Sequence, residues 1–238
     1  LKIKIKIDIF IHLASPNFDN EKNMILENGI LNLTKKILKT LRKYDCSNFI
    51  YFSSCKVYGE PSLDNIIFSE FSVPSPKSDY ANAKLMTEDF IKKFSAEKNI
   101  NFLIYRLPFV YGNGMKSNLS YILKIIDKSI PLFIPSNKLL LKKSFLYVGT
   151  ILHIIENNIK NVNSINNEVF NLSDEHAITL ADYVKYYRDS IKSNSLFIVI
   201  PSKIFKFLCM LPFVGKLLIK IYGSFEIENK KIKMFMKK

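Results

Sequence analysis

Apolar residues follow two rhythms in the first half of the chain. Continuous apolar runs occur at 7–14 (IDIFIHLA), 48–54 (NFIYFSS) and 100–108 (INFLIYRLP). Between them lie 23–44 (NMILENGILNLTKKILKTLRKY) and 80–99 (YANAKLMTEDFIKKFSAEKN), where apolar positions recur at helical spacing. Strand, helix, strand, helix, strand, with each strand apolar throughout, predicts a parallel sheet covered on both faces. Its crossovers should be right-handed. The texture changes after Pro108. The spacing predicts helices over 117–129, 149–159 and 178–191, the last starting at Thr179, and strands over 131–135, 144–148 and 168–173. The expected architecture is α/β: residues 1–115 form a doubly wound parallel sheet, and 116–238 form a smaller α+β region whose 144–173 segments partly return to that sheet.

Two segments imitate membrane or export signals. The opening LKIKIKIDIFIHLAS alternates Lys and Ile, a strand pattern without the long apolar centre of a signal peptide. Residues 196–223 are strongly apolar, yet Pro201, Lys203, Lys206, Pro212 and Lys216 interrupt them short of the roughly 20 unbroken residues that a spanning helix needs. A packed helical region is expected there, with no membrane span; a membrane-surface role is the lesser reading.

Composition changes this picture little. A net charge of +14 accompanies joint over-use of Lys, Ile and Asn and reads mainly as coding bias, although it favours anionic ligands such as phosphates. Cys46, Cys55 and Cys209 are dispersed and odd in number, which points to a reduced, cytoplasmic protein. His12, His153 and His176 are equally scattered, so no metal site is expected, and His12 reads as a core or loop histidine. There is no basic, aromatic-rich strand pair of the RNA-binding type, so no nucleic-acid partner is expected.

The chemistry collects at one edge. A parallel sheet binds ligands outside the carboxyl ends of its strands. There the three strands lead into HLAS (12–15), SSCKVYGE (53–60) and RLPFVYGNG (106–114). On the second helix Tyr80 and Lys84 are four residues apart and share a face. A nearby ammonium favours a phenolate, so such a tyrosine can serve as a general base, or as the acid in the reverse direction.

IDIFIHLAS, FIYFSSCKVYGE, YANAK and YRLPFVYGNG, in this order and spacing, resemble the extended short-chain dehydrogenases/reductases, the family of NAD-dependent nucleotide-sugar epimerases, dehydratases and reductases. The resemblance runs from residue 7 to about 230. YGNGMKSNLSYILKIIDKSIPLFIP, KKSFLYVGTI and IYGSFEIENKKI are similar to a bacterial UDP-glucose 4-epimerase-like subgroup that includes 4-ketoreductases of surface polysaccharide synthesis. The resemblance implies a Rossmann-like fold, NAD or NADP as cofactor, and hydride exchange between the cofactor and sugar C4 of a UDP-sugar. It implies Ser54, Tyr80 and Lys84 as catalytic residues, with Ser54 also holding the reacting sugar oxygen. Leu13, Ala14, Tyr80, Lys84 and Pro108 would contact the cofactor. Asn118 would contact the substrate diphosphate, as would Lys143, which stands where the family usually has an arginine and so loses the two-donor fork. Phe109 replaces a polar sugar contact, which tilts the substrate towards a deoxy- or amino-sugar. Family dehydratases place an acid beside the catalytic hydroxyl; here Cys55 and Lys56 follow Ser54, so dehydration is least favoured. A homodimer packed through 23–44 and 80–99 is also implied.

One family signature is missing. None of the seven glycines falls in the GxxGxxG pattern that lets backbone approach the pyrophosphate, and the acidic residue for the adenosine ribose is absent too. The chain starts with Leu, and the resemblance implies that it begins near the fourth family strand, without roughly the first sixty residues of the nucleotide-binding half. The leading expectation is a fragment of a 4-epimerase or 4-ketoreductase. The alternatives are an inactive remnant of one, or a non-enzymatic anion- or RNA-binding protein.

Overall fold

The computed structural model describes residues 6–14, 24–115 and 118–236. Its first half runs β1 (Phe10–His12), α1 (Met24–Leu41), β2 (Asn48–Ser54), β3 (Ile67–Phe68), α2 (Asp79–Lys98), β4 (Asn101–Leu107) and β5 (Phe109–Tyr111). Its second half runs α3 (Asn118–Asp127), β6 (Leu132–Pro135), β7 (Lys142–Lys143), β8 (Phe145–Tyr147), α4 (Val148–Lys160), β9 (Glu168–Asn171), β10 (Ile178–Thr179), α5 (Leu180–Ser190), β11 (Phe197–Ile200), α6 (Ser202–Met210), α7 (Val214–Tyr222), β12 (Glu226–Ile227) and α8 (Lys230–Met236).

Four strands form an all-parallel sheet in the order β1-β2-β4-β9. All seven β2 residues are buried, and the pleat sends alternate ones to opposite faces. Phe49 and Tyr51 join Phe102 and Ile104 beneath Leu38 of α1 and Ile91 and Phe94 of α2. Ile50 and Phe52 join Leu103, Tyr105 and Phe170 beneath Ile151 and Ile154 of α4 and Ile232 of α8. Each large apolar side chain buried this way stabilises the fold by roughly 1.5–3 kcal/mol before entropy is counted. The expected two-sided parallel sheet is therefore present, with β9 reached from the second half of the chain. Among the described residues β1 is an edge strand, paired only with β2.

A second core lies in the later half. Leu119, Leu123 and Ile126 of α3 pack with Leu180, Ala181 and Val184 of α5, and with Ile134, Phe145, Phe205 and Tyr222. Thr179 caps α5, its hydroxyl accepting from the Asp182 amide at 3.1 Å. Residues 196–223 are not one helical block. Phe197–Ile200 pair in parallel with β6, Pro201 ends that strand, and two nine-residue helices follow.

Candidate active site

The site is built where the parallel strands end. Register places His12 beside Tyr51 and Ser54 beside Leu107, so Leu13 and Ala14, Ser54, and Pro108 share one sheet edge. Leu13 and Ala14 are exposed there and Pro108 is half-buried. Ser54 closes β2 and opens a single 3-10 turn, Cys55–Tyr58; its Oγ accepts from the Lys56 amide at 3.2 Å. Gly59, at φ 144°, lets the chain leave that turn in a conformation other residues avoid.

Helix α2 brings the second group. Ser78 caps its start, accepting from the Ala81 amide at 3.3 Å, and Asn99 in the left-handed conformation ends it. Tyr80, Lys84 and Glu88 then lie one above another on the face turned to the sheet. Lys84 is 2% exposed, and its ammonium donates to the Phe52 carbonyl at 2.9 Å, two residues before Ser54. It lies 4.8 Å from the centroid of the Tyr51 ring and 5.8 Å from that of Tyr80. Lys56 also lies 5.8 Å from the Tyr80 centroid, so two cations flank the phenol ring. Burial lowers the Lys84 pKa to about 8, against the opposing pull of Glu88. Ser54, Tyr80 and Lys84 thus gather at one strand end, with Lys84 tied to the strand that carries Ser54.

His12 sits in the core beside this group. Its Nε2 is 3.0 Å from the Thr34 hydroxyl of α1. Burial, aided by the Lys84 charge, lowers its pKa to about 4, so the ring is neutral at physiological pH.

A polar network supports the edge from below, and sequence reasoning missed it. Glu88 and Arg106 form a buried two-pronged ion pair, with Nη2 to Oε2 at 2.6 Å and Nε to Oε1 at 3.0 Å. Ser53 donates to Glu88 Oε1 at 2.6 Å. Arg106 Nη1 donates to the Tyr58 hydroxyl at 2.7 Å, which donates to Asn171 Oδ1 at 2.8 Å. The Asn171 backbone N–H donates to the Glu70 carboxylate at 2.8 Å. Burial alone would lower the Arg106 pKa; the hydrogen bonds and charge of Glu88 raise it instead. The network fastens α2 to β2, β4 and β9. Two signals pointed to it: a lone arginine inside the apolar run NFLIYRL, and an acid one turn beyond Lys84 on the same face.

The predicted substrate contacts are placed less directly. Lys143 is 3% exposed, donates to the Lys220 carbonyl at 3.1 Å and lies 4.7 Å from the centroid of the Phe109 ring. Burial lowers its pKa to about 7; Glu60 opposes this and Lys56 adds to it. The structure brings Lys143 to Phe109, the neighbour of Pro108. Asn118 begins α3, but its side chain lies outside the described residues.

Cys55, the residue after Ser54, is fully buried and its thiol donates to the Arg106 carbonyl at 3.3 Å. Burial raises its pKa well above the ordinary value. Neither Cys55 nor Lys56 supplies a carboxylic acid beside Ser54.

The chain is similar to proteins of known kind. UDP-glucose 4-epimerase of Vibrio cholerae is 29% identical over 160 residues, covering 66% of this chain and 46% of its own. The dTDP-4-dehydro-6-deoxyglucose reductase of Escherichia coli is 26% identical over 190 residues, 75% of this chain and 58% of its own. The crystal structure of UDP-N-acetylglucosamine 4-epimerase from Bacillus cereus superposes with a TM-score of 0.75 at 18% identity, covering 97% of this chain and 71% of that one. The chain spans about half the length of the first curated relatives it matches. The NAD dependent epimerase/dehydratase family matches residues 1–173, from the first strand through the last strand of the parallel sheet, and the chain belongs to that family.

Proposed function

We propose that this chain carries the catalytic edge of an NAD- or NADP-dependent nucleotide-sugar enzyme, a 4-epimerase or 4-ketoreductase acting on a UDP-sugar in surface polysaccharide synthesis. The observation that carries the reading is the gathering of Ser54, Tyr80 and Lys84 at the carboxyl end of β2, with the Lys84 ammonium anchored on the Phe52 carbonyl. Tyr80 is the acid/base that takes or returns the proton of the sugar 4-hydroxyl, and Ser54 holds that oxygen. Positive charge beside a phenol favours its ionised form, a role for Lys84 and Lys56.

The residues present fit the nicotinamide-ribose end of the cofactor. An ammonium has three donors, and the Phe52 carbonyl takes one of those of Lys84. The exposed Leu13–Ala14 backbone and Pro108 border the same edge. The 238 residues contain no GxxGxxG turn for the pyrophosphate. When bound, the nicotinamide supplies the hydride chemistry; the chain's own part is to position the sugar and move its proton. The Cys55 and Lys56 environment favours epimerisation or reduction over dehydration. Asn118 and Lys143 are proposed diphosphate contacts. A cytoplasmic location and a homodimer through α1 and α2 complete the proposal, and the boundary near residue 115 is its proposed division between cofactor and substrate regions.

The test is an assay of UDP-sugar 4-epimerisation, and of NAD(P)H oxidation with a UDP-4-keto sugar. Tyr80→Phe should cut turnover about 10²–10⁴-fold while cofactor binding stays nearly unchanged. An unaltered rate would sink the assignment of Tyr80.

A further inference from the structure

The hairpin of α6 and α7 points to a second role. We propose that it is a docking surface for an anionic lipid bilayer, which it enters at the headgroup level without crossing.

Its apolar side chains face outward. Phe213, at the tip, is 86% exposed, Met210 is 80% and Phe207 62%; Leu217 continues the exposed stripe along α7. The second core takes only the opposite side of the hairpin, through Phe205 and Tyr222. Phe213 sits at φ 64° and ψ −57°, a conformation costly for a bulky residue, and it presents the ring at the turn. A glycine would hold that turn with less strain.

The charges carried by the hairpin itself have one sign. Residues 190–225 contain five lysines and no Asp or Glu. Lys203 stands one turn before Phe207, Lys216 one turn after Phe213, and Lys220 one turn after Leu217. Lys206 flanks the same helix as Lys203. The two helices are locked together: a Cβ on Gly215 would collide with the Cys209 carbonyl, so only glycine permits their approach.

Large outward apolar residues bordered by lysines match an interfacial membrane element. A second copy meeting this face by two-fold symmetry would set lysine against lysine. A nucleic-acid backbone would satisfy the lysines but leave the phenylalanines in water. An anionic bilayer satisfies both. No helix among the described residues is long and apolar enough to cross it.

The experiment is flotation of the 238-residue chain with vesicles of phosphatidylglycerol and phosphatidylcholine, and with phosphatidylcholine alone. The chain should float with the anionic vesicles, stay behind with the neutral ones, and release at about 0.5 M NaCl. The triple variant Phe207→Ser, Phe213→Ser, Leu217→Ser should lose at least about tenfold in partitioning. Reversal of Lys203, Lys206, Lys216 and Lys220 to Glu should lose more, at about fivefold per lysine removed. These positions are exposed, and unchanged far-UV circular dichroism verifies that each variant is folded. The proposal is overturned by failure to float at low salt, or by an apolar variant that floats as well as the parent, which would mean surface adsorption only. It is equally overturned if sedimentation finds a dimer that these apolar substitutions dissociate.

Discussion

Among the described residues two lysines are buried, in different regions and with nearly the same company. Lys84 donates to the Phe52 carbonyl and lies 4.8 Å from the Tyr51 ring centroid. Lys143 donates to the Lys220 carbonyl and lies 4.7 Å from the Phe109 ring centroid. A carbonyl and an aromatic face are thus the shared means of housing an ammonium away from water. What differs is the balance of surrounding charge. Lys84 has Glu88 one helical turn away, and its pKa falls to about 8. Lys143 feels Glu60 but also the like charge of Lys56, and its pKa falls to about 7. Near neutral pH the first remains an ammonium while the second stands close to half-neutralised. The difference suits Lys84 to chemistry that needs a fixed positive charge.

Several measurements can break or sharpen this contrast. The largest effect is expected on turnover. Lys84→Met should lower the UDP-sugar rate about 10²–10⁴-fold. Lys143→Met should instead raise KM for the nucleotide sugar with kcat largely kept, as removal of a binding contact does. Equal losses of kcat in the two variants would erase the distinction.

Next comes the carboxylate itself. Glu88→Ala strands the Arg106 guanidinium in the core and should cost about 3–5 kcal/mol in urea unfolding. Glu60→Ala, at a half-buried position, should cost under about 1 kcal/mol. A similar small cost for both would mean that the Glu88 and Arg106 pair does little for the fold.

The third effect is on the pH dependence of stability. Both lysines have folded pKa values below the ordinary 10.5. Between the two values the unfolded chain binds more protons, so stability must rise with pH. The rise from Lys84 spans about pH 8 to 10.5, and that from Lys143 about pH 7 to 10.5. Lys84→Met should flatten the upper part of the curve and Lys143→Met the part between 7 and 8 most visibly. A parent protein losing stability across that window for reasons these variants leave untouched would contradict the assignment. His12 acts on the acid side: its contribution is complete above about 6.5 and fades as pH falls towards 4.

The smallest effect is on the melting temperature. At pH 7, Lys143→Met replaces a partly charged buried group by an apolar one of similar length. It should be neutral or stabilising by up to about 1 kcal/mol, a rise of at most about 2–4 °C for a chain of this size. A clear fall would mean that the Phe109 contact outweighs the desolvation.

The parallel sheet was readable because its signals are local. NFIYFSS is apolar enough to be buried on both faces, and its predicted limits match β2 residue for residue. Ser78 sets the start of α2 one residue earlier than the apolar spacing indicates, since a cap lies outside the periodic face. The 7–14 run is longer than β1, whose pairing with a single neighbour covers only three residues. β11 was hidden because LFIVI has no alternation: a short apolar run does not distinguish strand from buried helix. At the site, Ser54, Tyr80 and Lys84 were legible from motif order and helical spacing. Glu88, Arg106, Tyr58 and Asn171 were not, because their meaning lies in contacts across as many as 113 positions of chain. The 196–223 segment was expected to pack as a helical region, and its outward apolar stripe became visible only once the two short helices were placed.

The Gly215 contact has a consequence for how the hairpin would meet a surface. Many amphipathic segments are unstructured in water and fold as they land, so their attachment carries a penalty of lost chain entropy. Here the two helices are already clasped, backbone against side-chain-free backbone. On the proposed docking the hairpin would act as a preformed tooth: it would arrive in its final shape, and helical content should stay constant when vesicles are added.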